Sequence, residues 1–317
     1  MSEFATCAII HTSDSNERLN EIEEKAIMKL LVYGAGVLGS QFAVRMHEAG
    51  HDVALLARGG RLSSLREHGV QLAEENSPDI RRVPVPVVDQ PADGYDLTTV
   101  FVRTHQVDSV LNSLAGVDGD VLFLHNWAAG AEPLGKAIGR ERVLLGFPVA
   151  AGTMDGDVVR YRRTNFITRR VAMPIGEPDG RATPRVERIV RTFRAAGVNA
   201  KAEPQMDAWL KTHAAFEVPL GLAVQAAGST AALAGDPEAV RHMLRLVRHR
   251  FDALPTPPVP RAYVALQKLP EGLLVPLFQR FLRSSTAKNS ALNNTTPSTR
   301  AELDRLAEQL GALTPAP

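Results

Sequence analysis

The sequence predicts a two-domain α/β fold, in which a parallel sheet with helices on both faces is followed by a mostly α-helical domain. Three observations predict it. The apolar segment 29–33 runs directly into a glycine-rich turn at 34–39. Apolar strand-like segments and helical patterns then alternate, as they do in parallel sheets with crossover helices. Beyond Gly180 the hydrophobic periodicity is helical.

The segments can be assigned in chain order. Buried parallel strands are predicted at 29–33, 52–56, 97–102 and 120–124, with helices at 37–49 and 106–114. From residue 143 four short strands follow without helices between them, and we expect an antiparallel extension of the sheet, at 143–145, 158–161, 166–168 and 171–175. Helices are predicted at 186–196, from 206 past Pro219, and at 237–251, 263–282 and 301–310.

We place the domain boundary near residue 202. Residues 28–202 then form a Rossmann-like dinucleotide-binding domain, and residues 203–317 a helical domain for substrate binding or dimerisation. Residues 1–27 are charged in part and lack the basic start of a signal peptide. They are predicted to be a disordered extension or the result of a start codon assigned too early, and the alternative is a surface helix over 16–27.

Composition excludes several classes of protein. The formal net charge of +1 gives no indication of nucleic-acid binding or of an anionic membrane surface. No apolar run approaches the roughly 20 residues that a membrane span needs. The single cysteine, Cys7, cannot form an internal disulfide, which favours a reducing, cytoplasmic location. No cluster of His, Cys and carboxylate residues has metal-ligand spacing, so no metal is expected.

The turn between the first strand and helix has the pattern Gly-x-Gly-x-x-Gly. Gly34 permits the tight turn, Gly36 lets the backbone approach a pyrophosphate, and Gly39 lets helix pack on strand. The backbone of Val37 and Leu38 opens the helix, whose N-terminus attracts phosphate. A lone motif of this kind is a weak signal, but its place between strand and helix favours dinucleotide binding over a simple glycine-rich turn.

The end of the second strand distinguishes the two nicotinamide dinucleotides. NAD-binding proteins usually have an acidic residue there, which bonds the ribose 2′-hydroxyl. This chain has Leu55-Leu56-Ala57-Arg58, with Arg61 shortly after and no carboxylate. A guanidinium matches a phosphate, so NADPH is favoured, with Arg58 on the 2′-phosphate. The alternative is an arginine that only caps a helix.

Two further residues follow strands at the edge where ligands of open α/β sheets bind. Arg103 ends segment 97–102, and Asn126 follows segment 120–124. Both are candidate cofactor-binding residues, and Asn126 is also a candidate for the substrate. Either could instead cap a helix or a turn.

Taken together, four motifs resemble the ketopantoate (2-dehydropantoate) reductase family. They are Gly34-Ala35-Gly36-Val37-Leu38-Gly39, Leu56-Ala57-Arg58-Gly59, Val102-Arg103-Thr104-His105-Gln106 and Leu124-His125-Asn126. The sequence Trp209-Leu210-Lys211 is similar to the helix start that carries the family's catalytic lysine. The resemblance spans residues 28–317 and is clearest in the first domain.

The resemblance implies an enzyme that reduces ketopantoate to pantoate with NADPH, on the path to pantothenate. It assigns the catalytic role on the ketone oxygen to Lys211, a cofactor contact to Arg103, and a ligand contact to Asn126. It also implies a serine and a glutamate that bind the substrate, for which Ser284 or Ser285 and Glu302 are the candidates. A homodimer is a possible assembly, and a small 2-oxo acid is the expected partner.

Several residues depart from the family pattern. Trp127 stands where the family has glycine, and Ala215 and Pro219 stand where it has asparagines. A related 2-oxo acid is therefore an alternative substrate, and an NADPH-binding sensor with an eroded catalytic site is an alternative function. His213 and Glu217 are spaced to pair on one helix face. Because His213 lies about 200° round the helix from Lys211, we expect a surface or interdomain pair and not a catalytic partner.

Overall fold

The computed structural model describes residues 27–162, 170–284, 287, 293 and 295–313. The extension 1–26, the predicted strand 166–168 and Ser285 lie outside the described residues. The predicted fold class is confirmed: a mainly parallel sheet with helices on both faces is followed by helices. The strands are β1 Lys29–Tyr33, β2 Asp52–Leu56, β3 Val70–Glu74, β4 Arg81–Val83, β5 Val87–Val88, β6 Leu97–Val100, β7 Asp120–Leu124, β8 Val143–Gly146, β9 Gly152–Asp155, β10 Val158–Tyr161, β11 Met173–Gly176 and β12 Ala200–Ala202.

The strands form two sheets. The larger has the order β12-β11-β8-β7-β6-β1-β2-β5, and its strands from β8 to β5 are all parallel. The smaller has the order β4-β3-β10-β9. The expected antiparallel extension is therefore largely wrong. β8 continues the parallel sheet, and β10 pairs in parallel with β3 in the smaller sheet. Among the predicted strands that the structure describes, β11 adds to the large sheet in antiparallel orientation.

The α-helices lie between and after the strands. Their bounds are α1 Val37–Glu48, α2 Gly59–His68, α3 Val107–Leu114, α4 Glu132–Ile138, α5 Pro184–Ala195, α6 Met206–Ala227, α7 Thr230–Gly235, α8 Pro237–Asp252, α9 Val264–Lys268, α10 Glu271–Arg283 and α11 Pro297–Gly311. One long helix over 263–282 was predicted, but α9 ends at Lys268. Leu269 is extended (ψ 142°) because it precedes Pro270, and a residue before proline avoids the helical conformation.

Alternating side chains bury both faces of the large sheet. Leu30 and Val32 of β1 pack with α1 and α5, whereas Leu31 points to the opposite face, where α3 and α4 lie. Helices α6, α7, α8, α10 and α11 share a separate apolar core, and Ala128 from the loop after β7 is part of it. The helices therefore rest on the loops at the carboxyl edge of the sheet. No helix among the described residues is long and apolar enough to cross a membrane.

A buried ion pair ties α5 to the opposite, amino edge of the sheet. Arg185 donates to both carboxylate oxygens of Glu177, at 2.6 and 2.5 Å, and to Asp120 at the start of β7, at 2.7 Å. Glu177 is 4% exposed. Its burial raises the pKa of the carboxyl group, but the hydrogen bonds from Arg185 and Thr183 outweigh burial and lower it overall.

Candidate active site

The glycine turn between β1 and α1 is sterically fixed at two of its three glycines. Gly34 has φ +111°, and a Cβ there would lie 2.5 Å from the carbonyl oxygen of Phe101. A Cβ on Gly39 would lie 2.0 Å from the carbonyl oxygen of Gly34. No side chain can be accommodated at either position without a backbone shift, since real Cβ atoms do not approach so closely. These contacts account for the turn and for the helix–strand packing.

Gly36 differs from the other two glycines. It is exposed, and no described atom lies within 4 Å of a Cβ built on it. It is the N-cap residue of α1 but supplies no side chain to bond the free N–H groups of Val37, Leu38 and Gly39. The open space thus lies where a helix N-terminus favours an anion. The residues present fit the pyrophosphate of a dinucleotide.

Arg58 stands at the end of β2, as the N-cap residue of α2. It is exposed, its guanidinium carbon lies 5.5 Å from the centre of the Tyr33 ring, and its Nη2 donates to the Tyr33 hydroxyl. The Tyr33 hydroxyl is also 3.0 Å from Ser113 Oγ. The ring and hydroxyl of Tyr33 thus orient the Arg58 guanidinium at the strand end, where an adenosine ribose would bind.

Arg61 has a different position from its neighbour. Its Nε donates to the carbonyl oxygen of Ala35 within the glycine turn, at 3.1 Å, and its Nη1 donates to that of Asp157, at 2.8 Å. It therefore braces the turn against the β9–β10 hairpin. Burial lowers the pKa of Arg61, and the Asp157 carboxylate partly offsets this.

Three parallel strands end side by side beneath the helical layer. Arg103 follows β6, Asn126 follows β7 and Phe147 follows β8. Asn126 is held by its main-chain oxygen, which accepts from Thr104 Oγ1 at 2.5 Å. Its side-chain Oδ1 is buried and makes no hydrogen bond with any described residue. A buried acceptor without a partner is costly, so this atom is available to a bound ligand.

Arg103 is paired across the two halves of the protein. Its Nη1 donates to Glu302 Oε2 of α11 at 2.6 Å, although the two residues are 199 positions apart. Burial and the nearby charge of Glu217 raise the pKa of Glu302, and Arg103 opposes them. Both residues were predicted as ligand contacts, but their pairing was not predicted. No local signal relates residues so distant in sequence.

Lys211 lies in the second turn of α6. Its Nζ is 2.5 Å from Asp207 Oδ2, and the lysine side chain is 14% exposed. The ammonium lies 3.7 Å from the position of a Cβ on Gly130, in the loop after β7. Lys211 therefore faces the loop at the carboxyl end of β7, which also contains Asn126.

Another face of α6, largely opposite Lys211, carries Trp209, His213 and Glu217, which are spaced one helical turn apart. The imidazole of His213 stacks on Trp209, with ring centres 5.1 Å apart and planes inclined by 12°, and lies 4.3 Å from the ring of Phe147. His213 Nε2 is 3.0 Å from Glu217 Oε2. The expected His213–Glu217 pair is present and reaches the β8 end of the sheet. The i, i+4 spacing indicated the pair but not what it faces.

The departures from the family pattern do not fill the open edge. The Trp127 ring is 3% exposed and packs into the sheet core against His125, and its Nε1 donates to the carbonyl oxygen of Gly130 at 2.6 Å. The loop thus turns the indole inward, into the sheet core. Ala215 and Pro219 are buried within the helical core.

Ser284 ends α10, and its Oγ accepts from the backbone N–H of Ala287 at 3.2 Å. That bond is local and does not connect the serine with Arg103, Asn126 or Lys211. No group of three or more potential metal ligands occurs among the residues that the structure describes.

Comparisons with known proteins agree with this geometry. Residues 30–169 match the family model described as ketopantoate reductase PanE/ApbA. The chain is 30% identical to the 2-dehydropantoate 2-reductase of Archaeoglobus fulgidus over 178 residues, which are 56% of each chain. It thus spans little more than half the length of this relative.

Solved structures show the same fold over most of the chain. A 2-dehydropantoate 2-reductase from Geobacter metallireducens covers 89% of this chain and 94% of its own, with a TM-score of 0.62 and 17% identity. A D-mandelate dehydrogenase, solved with NADH and anilino(oxo)acetate, covers 90% of this chain and 99% of its own, with a TM-score of 0.66 and 16% identity.

Proposed function

We propose that this chain, whose residues 30–169 match the ketopantoate reductase family model, is an NADPH-dependent reductase that converts a 2-oxo acid to a 2-hydroxy acid. The glycine turn carries the proposal. Two of its glycines are required by packing, whereas Gly36 leaves space open above an uncapped helix terminus. Two packed glycines and one open glycine are the combination expected of a turn that binds a pyrophosphate. The reductase relatives also make the sensor alternative the weaker of the two.

The environment of Arg58 supports NADPH over NADH. The guanidinium is exposed at the end of β2, and residues 55–58 of this strand end contain no carboxylate to bond a ribose hydroxyl. Tyr33 holds it in place, so a 2′-phosphate would meet an oriented, charged donor. Arg61 is engaged by the turn and by Asp157, and we assign it a supporting role.

The substrate is proposed to lie between the sheet edge and α6. When bound, NADPH supplies the electron pair and hydrogen that reduce the ketone. Negative charge then develops on the ketone oxygen, and a positioned cation lowers its energy. We assign this role to the Lys211 ammonium, and assign Asn126 Oδ1 a hydrogen bond to the ligands. Glu302 is the proposed acceptor for a polar end of the substrate, and Ser284 is a weaker candidate because its bonds are local.

The decisive experiment is a panel of 2-oxo acids, with NADPH oxidation as the readout and NADH as a parallel arm. Ketopantoate is the first substrate to test, because the relatives are 2-dehydropantoate 2-reductases. Aryl 2-oxo acids belong in the panel because a D-mandelate dehydrogenase shares the fold. Turnover of at least one acid with NADPH is expected. Tight NADPH binding without turnover of any acid would refute the proposed reductase activity and favour the NADPH-binding sensor.

A further inference from the structure

Two side chains beside Lys211, those of Asp207 and Trp127, have no role in the site as described so far. Asp207 bonds the Lys211 ammonium, and Trp127 is the departure from the family pattern whose ring turns inward. Their hydrogen bonds meet at Gly130 in the loop after β7. The carbonyl oxygen of Gly130 accepts from the indole, and a Cβ on Gly130 would lie 3.7 Å from an atom of each member of the ion pair.

We propose that Asp207 and Trp127 are positioning residues of the reduction, which together fix the Lys211 ammonium against the loop after β7. The inference rests on the proposed function, in which this ammonium contacts the ketone oxygen. Asp207 acts through its ion pair with Lys211, and Trp127 acts by fixing Gly130 on the opposite side. Neither side chain needs to touch the substrate.

The Asp207–Lys211 pair is more sheltered than an ordinary ion pair on a helix surface. Its two atoms are 2.5 Å apart, and the lysine and aspartate side chains are 14% and 33% exposed. The Arg300–Asp304 pair on α11 has the same i, i+4 spacing, but its side chains are 58% and 50% exposed. Because water and salt screen a sheltered pair less, the Asp207 carboxylate restricts its partner more strongly than a surface carboxylate would.

The pairing leaves the lysine able to bind a ligand. A lysine ammonium has three N–H groups. Asp207 is its only hydrogen-bond acceptor among the residues that the structure describes. Two N–H groups therefore remain for a ligand at the β7 end of the sheet, where the buried Oδ1 of Asn126 also has no described partner. A ketone oxygen can thus accept from Lys211 while Asp207 keeps its own bond.

The backbone beneath the ion pair is anchored in the sheet core. Met206 and Leu210, in the first turns of α6, are 0% and 2% exposed and belong to the same apolar cluster as Trp127. The remaining freedom of the ammonium therefore lies in the side-chain torsions of Lys211. The bond from Asp207 restricts those torsions, which are otherwise numerous in a lysine.

The loop that faces the ion pair is fixed by side chains from two directions. Trp127 Nε1 donates to the carbonyl oxygen of Gly130 at 2.6 Å and so closes the loop on itself. Gln309 Oε1, from α11, accepts from the backbone N–H of Ala128 at 2.9 Å. Gly130 has φ +77°, which favours glycine, and its lack of a side chain lets the loop lie close to the ion pair.

The experiment measures kcat with the 2-oxo acid that native protein reduces fastest. Asp207→Asn keeps the shape of the side chain and removes its charge. It should lower kcat about 10–100-fold, because misplacement of a reacting group by about 1 Å can cost that much. Asp207→Glu should recover part of the loss, since the charge remains one turn away. Asp304→Asn removes the exposed pair on α11 and is the matched control, which should keep native kcat.

Trp127→Phe keeps an aromatic ring and removes the indole N–H. It should lower kcat about fivefold, which corresponds to one neutral hydrogen bond. The loss is smaller than that of Asp207→Asn because Gln309 still holds Ala128. NADPH affinity should change little in both variants, since the phosphates are held by the glycine turn.

A double-mutant cycle with Lys211→Ala separates positioning from a general effect on the fold. In the Lys211→Ala background, Asp207→Asn and Trp127→Phe should each lower kcat by less than about twofold, because the group that they position is gone. Crystals of Asp207→Asn should show Lys211 Nζ displaced from its native place beside Gly130 or divided between several places. This readout does not depend on turnover.

Equal losses of kcat with and without Lys211 would indicate a structural role and overturn the inference. So would Lys211 Nζ at its native place in crystals of Asp207→Asn. Native kcat in a folded Asp207→Asn or Trp127→Phe protein would overturn the role assigned to that residue. Absence of turnover in native protein would instead overturn the proposed function, and the crystal comparison would still test whether Asp207 positions Lys211.

Discussion

Gly36→Ala should separate cofactor binding from folding. The backbone at Gly36 (φ −80°, ψ −166°) is accessible to alanine, and a Cβ there has no described atom within 4 Å. Loss of a glycine N-cap costs less than about 1 kcal/mol, so the protein should remain folded. The same methyl group would occupy the space assigned to the pyrophosphate. Losing one or two charged hydrogen bonds at about 1.5–3 kcal/mol each predicts a loss of NADPH affinity of at least tenfold.

The other two glycines should behave in the opposite way. Gly39→Ala places its Cβ 2.0 Å from a backbone oxygen, and Gly34→Ala adds a positive φ to a 2.5 Å contact. Both should lower the free energy of unfolding by several kcal/mol or prevent folding. Gly272→Ala on α10, with free space around its Cβ, is the matched control and should change neither property. Isothermal calorimetry with NADPH and urea denaturation measure the two effects. A folded Gly36→Ala protein that binds NADPH with native affinity would refute the assignment of the open space.

Three further predictions concern other side chains. Arg58→Ala should reduce the preference for NADPH over NADH by about 1.5–3 kcal/mol, while Arg66→Ala on the same helix should not, and calorimetry with both cofactors tests this. Equal native affinity for both cofactors would contradict it. Lys211→Ala should lower kcat by about 10²–10³-fold with little change in NADPH affinity, as measured by single-turnover and binding assays; an unchanged rate would remove Lys211 from the chemistry. Arg185→Ala should destabilise the protein by about 3–5 kcal/mol in urea, because it leaves the buried Glu177 carboxylate without its partner. The lowered pKa of Glu177 means that this stabilisation is present above its ordinary pKa and is lost as pH falls through the folded value, so the two proteins should converge in acid.

The part of the fold predicted correctly is the part that depends on local sequence. β1, the glycine turn, α1 and β2 follow one another within 28 positions, and each carries its own periodicity or turn signal. The smaller sheet was missed because the β3–β10 pairing that holds it together is not local. β3 and β10 lie more than 80 residues apart, and the short β4 has no distinct alternation. The domain boundary near residue 202 remains a prediction.

In the candidate site, too, the features that depend on local sequence were predicted and the long-range contacts were not. The glycine and Arg58 positions followed from their place at strand ends. The Arg103–Glu302 pair could not, since it joins the end of a strand to the last helix. For His213 the i, i+4 spacing predicted the pair with Glu217. The helical angle between His213 and Lys211 shows that they lie on different faces of α6, but it does not show which neighbours cover those faces. The stacking with Trp209 and Phe147 became visible only with the strand ends in place.

The Arg103–Glu302 ion pair makes ligand binding a proton-linked event. Burial and the charge of Glu217 raise the pKa of Glu302, whereas Arg103 and the backbone of Thr104 lower it. An anionic ligand that engages Arg103 competes with Glu302, and the released carboxyl group then takes up a proton. By linkage, the affinity of such a ligand rises as pH falls. Protonation of Glu302 therefore weakens its hold on Arg103, and the two halves of the molecule exchange a contact with each other for a contact with the ligand.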